Sequence, residues 1–216
     1  MTRQLTFGVG LVLAACLQSA CALTGKADAL SPRYFSPEQV AASQKAPNPQ
    51  HLELQLGQVS SASHLDERIA YRLSGAEVGF YDDRRWTEIP EAYLRRALER
   101  ELFEQRGLQR IVTGSAPTLD VELTAFEELR GKPTKARVTL SFSVHDERRS
   151  LLERSINVER EVTEQAGADP AARLAATLAA TLADAVVSVG ALVSAELLSA
   201  KAAEALPQQG SAAPAP

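Results

Sequence analysis

A chain of 216 residues with 45% hydrophobic residues can bury one sizeable core and has little length left for a second, so one domain with tails is expected. Its formal net charge of -4 argues against bulk attraction to nucleic acid or to an anionic bilayer. Both cysteines, Cys16 and Cys21, lie near the N-terminus, which leaves the body of the protein no disulfide and no thiolate metal site.

Residues 1–15 read MTRQLTFGVGLVLAA, with Arg3 as a basic start and an apolar run from Leu5 to Ala15. A cysteine follows, and the whole has the tripartite form of a secretory signal. The run is too short to span a bilayer, which takes about 20 apolar residues. Leu13, Ala14, Ala15 and Cys16 resemble a bacterial lipobox, in which a thiol accepts diacylglycerol and signal peptidase II cuts before it. Cys16 would then open the mature chain, carrying diacylglycerol and an N-acyl group such as palmitate. Cys21 is the alternative, weakened by Gln18 where the motif wants a leucine-like residue. The plainer reading is an ordinary secretory signal with two incidental cysteines, but exposed thiols are poor residents of an oxidising compartment. Two or three acyl chains, at about 0.8 kcal/mol per buried CH₂, make an essentially permanent anchor. No aspartate follows either cysteine, which by resemblance to sorting rules implies the periplasmic face of the outer membrane. Residues 16–50 read as the lipidated N-terminus and a tether. Within the tether only Arg33, Tyr34 and Phe35 suggest a short docked strand.

The domain is expected over residues 51–205. Leu52, Leu54 and Leu56 alternate with polar residues, the pattern of a half-buried strand. Ile69, Tyr71 and Leu73 repeat it, and Val78 and Phe80 follow a turn at Ser74 and Gly75, so a hairpin is predicted. The stretch from Phe80 to Gly107 then joins a strand to the best-marked helix in the chain. Thr87 is the expected cap, Glu88 and Glu91 place negative charge in the first turn, and Gly107 supplies the stop. Leu94, Leu98 and Leu102 form an apolar stripe that must cover a sheet. The opposite faces alternate Arg95, Arg96 and Arg100 with Glu99 and Glu104. That mixture fits a solvated helix face better than a nucleic-acid patch.

After Gly107, residues 110–113 are expected as a short strand. Leu119, Val121, Leu123 and Ala125 open the next strand, and Ala136 to Val144 alternate most cleanly of all. Leu152, Ile156, Val158 and Val162 supply the partner of that strand. With turns at Arg130 to Pro133 and Asp146 to Ser150, these three strands form an antiparallel meander. Asp169 and Pro170 begin a second helix with an apolar stripe from Leu174 to Val193. Arg173 and Asp184 interrupt it, and its uncharged stretch is short of a membrane span, so it reads as a core helix. Residues 206–216 are Pro, Gln, Ser and Ala and are expected to form a disordered tail. The order of strands and helices predicts an α/β (α+β) two-layer sandwich: a mixed, largely antiparallel sheet with two helices on one face.

PRYFSPE in the tether, LELQLGQV, FYDDRRWTEIPEAYLRRAL, LDVELTAFE and the closing Ala/Leu-rich helix together resemble the ABC-type transport auxiliary lipoprotein family. The resemblance covers nearly the whole mature chain, and its most specific part is the segment containing Arg85, Trp86, Pro90 and Leu98. It implies a non-enzymatic, outer-membrane-anchored component of an MCE-type system that moves phospholipids or other hydrophobic compounds. The implied partners are an MCE-type substrate-binding protein and its ABC permease and ATPase, and ring formation by some members implies a homo-oligomer. Trp86 is either a rim contact for a ligand or partner, or a staple between sheet and helix. One tryptophan beside a capped helix favours the staple.

The residues offer little independent chemistry. His51, His64 and His145 are far apart with no ligand spacing, so no metal or other cofactor is expected beyond the covalent lipid. His145 with Asp146 and Glu147 falls at a predicted turn, where solvation accounts for it. Asp82 and Asp83 are followed at once by Arg84 and Arg85, the pattern of a surface charge cluster rather than a catalytic carboxylate pair. No phosphate loop or nucleophile elbow occurs, so the ATPase of such a system must be another chain.

Overall fold

The computed structural model describes residues 31–37, 51–164 and 166–205. Cys16, Cys21 and the expected tail at 206–216 lie outside the described residues. Among the described residues, eight strands and two α-helices follow in the order β1 (Arg33–Phe35), β2 (Glu53–Ser61), β3 (Arg68–Ser74), β4 (Glu77–Trp86) and α1 (Pro90–Glu99). The chain continues from α1 through a π-helical segment, Arg100–Gln105. Then come β5 (Gln109–Arg110), β6 (Thr118–Leu129), β7 (Lys135–His145), β8 (Ser150–Glu161) and α2 (Pro170–Ala205).

The sheet is mixed and open, and β6 is its spine. One edge of β6 carries β7, antiparallel from Thr118↔His145 to Leu129↔Lys135, and β7 in turn carries β8. The other edge is shared: β2 runs parallel to its first half and β3 parallel to its second. Beyond β3 lie β4 and then β1, which pairs Phe35 with Trp86, so part of the tether is built into the sheet. The long ladders are antiparallel, while the four parallel pairings are short. The predicted two-layer arrangement is therefore present.

Alternation decides which face is covered. Val138, Leu140, Phe142 and Val144 of β7 are buried, as are Leu119, Val121 and Leu123 opposite them on β6. Directly paired residues share a face, so these seven side chains form one apolar surface. Leu94, Leu98 and Leu102 of the first helical segment and Leu174, Leu178, Val186, Val189 and Val193 of α2 close over it. At about 25 cal/mol per Å², each such fully buried leucine or valine contributes about 2 kcal/mol. The other face carries Thr139, Ser141 and Ser143 and has no helix over it among the described residues.

Helix α1 begins differently from the sequence expectation. The capping position is Ile89, in extended conformation, with Pro90 at the first helical position and no side-chain cap. Thr87 instead hydrogen-bonds Tyr93 through its hydroxyl and donates its backbone N–H to Phe35 O. Proline needs no partner for a missing N–H, so the cap is dispensable there. The helix also loosens: Arg106 N–H reaches back to Glu101 O at 2.9 Å, five residues away, before Gly107 ends it at φ 68°. That positive φ is the glycine stop the sequence indicated. The strand expected over 110–113 is Gln109–Arg110, paired parallel to β2.

Residues Pro170–Ala203 are long and apolar enough to cross a membrane by length and composition. Half of the most apolar stretch is buried in the fold, however, and those residues face the sheet. Helix α2 is the core helix. The free edge of β8 holds Glu153, Arg154, Glu159, Arg160 and Glu161, charge of the kind that discourages further strand pairing.

Candidate functional site

The pre-helix segment is a junction of layers. Trp86 is 1% exposed, stacks on Phe126 at 4.8 Å between ring centroids, and donates its backbone N–H to Glu67 O. Pro90 is buried at the start of α1 and Leu98 is fully buried in the core. Arg85 sits between Tyr34 and Arg68 in strand register. Strands β1, β3 and β4, the start of α1 and β6 thus meet at one indole, which has no surface left to offer a ligand.

Next to it, β1 is fastened to α2. Arg33 donates to both carboxylate oxygens of Asp169, with Nη1 to Oδ1 at 3.1 Å. Asp169 also accepts the N–H groups of Ala171 and Ala172, capping α2. The Arg33 hydrogen bond, helped by these amides, pulls the Asp169 pKa down to about 2.

The uncovered sheet face holds a concavity of about 800 Å³. Short side chains make it: Ser60, Ser141, Ser143 and Ser155 line it, together with Asp120, Glu122, Glu153 and Arg154. Asp120 does two jobs there. Its Oδ1 accepts the Gln58 N–H at 2.6 Å, holding a bulge where β2 slips register against β6. Its Oδ2 lies 3.0 Å from His145 Nε2. Gly57 is required beside this pair, because a Cβ there would strike Asp120 and Thr118. An acid orienting a histidine near serines has the outline of a hydrolytic triad. Among the described residues the hydrogen bond of His145 goes to Asp120 and to none of these serines.

Two further networks lie beyond the concavity. Glu127 is fully buried and its Oε1 is held by Arg72 at 3.0 Å and by Arg137. Tyr81 donates to Glu128 at 2.5 Å, and Arg84 and Arg130 stack over its ring. Burial, with the Glu128 hydrogen bond, pushes the Tyr81 hydroxyl pKa up. Asp82 and Asp83 stay at the surface, Asp83 lying 3.7 Å from Arg84. No group of three or more His, Cys, Asp or Glu suited to a metal occurs among the described residues.

Sequence reasoning did not find Asp120, Glu127 or the Arg33–Asp169 clasp as pairs. The available signals were Gly57 breaking the alternation of β2, and Glu127 standing after buried Phe126 near the end of a strand. What fold and geometry define is a helix-backed sheet domain with one closed core and one polar, concave open face.

The description of the ABC-type transport auxiliary lipoprotein component matches residues 35–187. The chain belongs to that family. No curated protein matches. Among solved structures, protein XCC0632 from Xanthomonas campestris, of family DUF330, is 16% identical with a TM-score of 0.65. The alignment covers 79% of this chain and 99% of that one. An uncharacterized protein of known crystal structure is 14% identical, with a TM-score of 0.58 over 76% of this chain and 99% of that one. At these identities the likeness is one of fold.

Proposed function

We propose that this chain is the lipid-anchored, non-enzymatic accessory component of an MCE/ABC-type system. Such a system transports phospholipids or other hydrophobic compounds across the bacterial envelope. The anchor is the thioether at Cys16, with Cys21 as the alternative, and it holds the domain at the periplasmic face of the outer membrane. The observation that carries this reading is membership of a transport auxiliary lipoprotein family over residues 35–187, in a chain that carries Leu13-Ala14-Ala15-Cys16 upstream of the matched region. A permanent lipid anchor frees the folded body from binding the bilayer itself. The body then serves to hold a neighbour: the MCE-type protein, whose permease and ATPase supply the work.

The test is co-purification in mild detergent of the tagged full-length chain with the MCE-type protein encoded by the same organism. Recovery of the MCE protein in stoichiometric amount is expected. Its absence at every detergent concentration that keeps the ABC complex intact would leave a structural or assembly lipoprotein of the outer membrane, and would end the transport reading.

A further inference from the structure

The chain enters the domain at one end of α2 and takes it up again at the other. Arg33 of β1 is clasped to Asp169, which caps the start of α2. His51, where the expected domain begins, accepts a hydrogen bond on its carbonyl from Lys201 Nζ at 2.9 Å. From Asp169 to Lys201 the helix covers about 48 Å at 1.5 Å per residue. The sheet has the same two ends. The turn from Arg130 to Pro133 lies at the Asp169 end, where Val162 N–H bonds Thr134 O and Arg173 Nη1 bonds Thr163 O at 3.1 Å. The turn after β7 lies at the Lys201 end, where Asp146 and Arg149 line a cavity of about 660 Å³ together with His51, Leu197 and Lys201. Strand β1 is attached to this body without belonging to its core. Among the described residues the buried apolar cluster begins at Leu52, and β1 lends it only the half-buried Phe35. Arg33 and Tyr34 are exposed, and β1 pairs with β4 alone, over three residues.

We propose that β1 is a strap that sets both the reach and the facing of the domain on its membrane anchor. With β1 in place, the stretch from Cys16 to Arg33 spans at most about 60 Å however it runs, at about 3.5 Å per residue. The pull of the anchor then falls on the Asp169 end, so that end faces the membrane and the Lys201 end faces away. With β1 undocked, the stretch from Cys16 to His51 spans at most about 120 Å, and the pull falls on the opposite end. One short strand thus decides distance and direction together. The clasp is built for such a load. Arg33 joins both oxygens of Asp169, a two-point geometry that holds orientation as well as distance, and Asp169 hands the load to the core helix through the amides of Ala171 and Ala172. Because the core begins after the strap, β1 can leave the sheet edge without unmaking the fold. The strap needs an anchor upstream of β1, which is what the lipidated reading of Cys16 or Cys21 supplies.

The test replaces residues 1–15 with a hexahistidine tag and carries Cys16→Ser and Cys21→Ser, so that nickel-chelating phosphatidylcholine vesicles provide the anchor without lipidation. A donor dye on Lys132→Cys reports the Asp169 end and one on Arg148→Cys the Lys201 end, both exposed positions, against an acceptor lipid in the bilayer. The two dyes stand about 35 Å apart along β7, so energy transfer from Lys132→Cys should be about twofold stronger than from Arg148→Cys. Arg33→Glu with Phe35→Asp sets acid against Asp169 and charge against the core, and should reverse that order. If that chain fails to fold, Arg33→Glu alone, at an exposed residue, should remove the preference. Equal transfer from the two ends with the strap intact, the opposite order, or an order that neither variant changes overturns the proposal. Vesicle binding that survives imidazole also overturns it, because a body surface would then set the facing. Absence of lipid on both native cysteines would end the lipidated reading and leave this result standing.

Discussion

Where the π-helical segment crosses α2, Gly190 should be indispensable although it lies mid-helix. A Cβ at Gly190 would stand 2.5 Å from Arg106 Nε, 2.9 Å from Glu101 Cγ and 3.0 Å from Glu101 Oε1. Those atoms belong to an ion pair of 2.7 Å, with the Glu101 side chain 6% and the Arg106 side chain 25% exposed. Arg106 Nη2 donates further to Val187 O at 3.1 Å, tying the first helix to the second. Alanine should gain about 1 kcal/mol of helix propensity over glycine. Against that, pushing Arg106 off a buried carboxylate costs about 3 kcal/mol, the low end for breaking such a pair because Arg106 keeps some water. Gly190→Ala should therefore destabilise by about 2 kcal/mol, lowering the thermal midpoint by roughly 4–8 °C for a domain of this size. Urea unfolding followed by the fluorescence of Trp86, the one tryptophan, measures it directly. In a double-mutant cycle with Arg106→Ala, a coupling of about 1 kcal/mol or more is expected. If Gly190→Ala instead stabilises by about its propensity gain and adds independently to Arg106→Ala, the close-crossing argument is wrong.

Further outcomes follow from the same geometry. Asp169 has a folded pKa of about 2, below its ordinary value of 3.8, so its contribution is complete above pH 5 and is lost as pH falls from about 4 to 2. Amide exchange at Thr87, whose N–H bonds Phe35 O, should quicken in that window relative to its intrinsic rate. Asp169→Asn should remove the pH dependence, and an unchanged profile in that variant would contradict the clasp. Glu127→Ala leaves Arg72 and Arg137 facing each other without their carboxylate and should cost about 3 kcal/mol in urea unfolding, whereas an effect under about 0.5 kcal/mol would show the buried pair to be idle. Trp86→Ala should cost about 4 kcal/mol through the lost stack on Phe126, read by far-ultraviolet circular dichroism, and a soluble variant with wild-type stability would remove Trp86 as the staple.

Elements whose burial follows a simple period were legible in the sequence. β7 shows strict alternation from Ala136 to Val144, and α2 repeats apolar residues at three and four, because one partner surface dictates each. Legible too was β1, although only Arg33, Tyr34 and Phe35 marked it. What periodicity cannot express is pairing between distant strands. That β6 shares one edge between β2 and β3 leaves no local pattern, and the bulge in β2 opposite Asp120 is marked only by Gly57. The cap at Ile89 was missed because Thr87 is the better capping residue by type, while Pro90 fixes the helix start two residues later. The open face was hidden for a plainer reason. Its serines and acids look like any solvated alternation until the strands are laid side by side.

The account rests on lipid rather than protein surface holding this chain to its membrane, and metabolic labelling with a palmitate analogue addresses that directly. Label should be incorporated by the wild-type chain and by Cys21→Ala, and lost in Cys16→Ala and in the double variant. Label lost only with Cys21 would move the cleavage site and keep the anchor. Label retained in the double variant, or absent from the wild-type chain, would contradict the account.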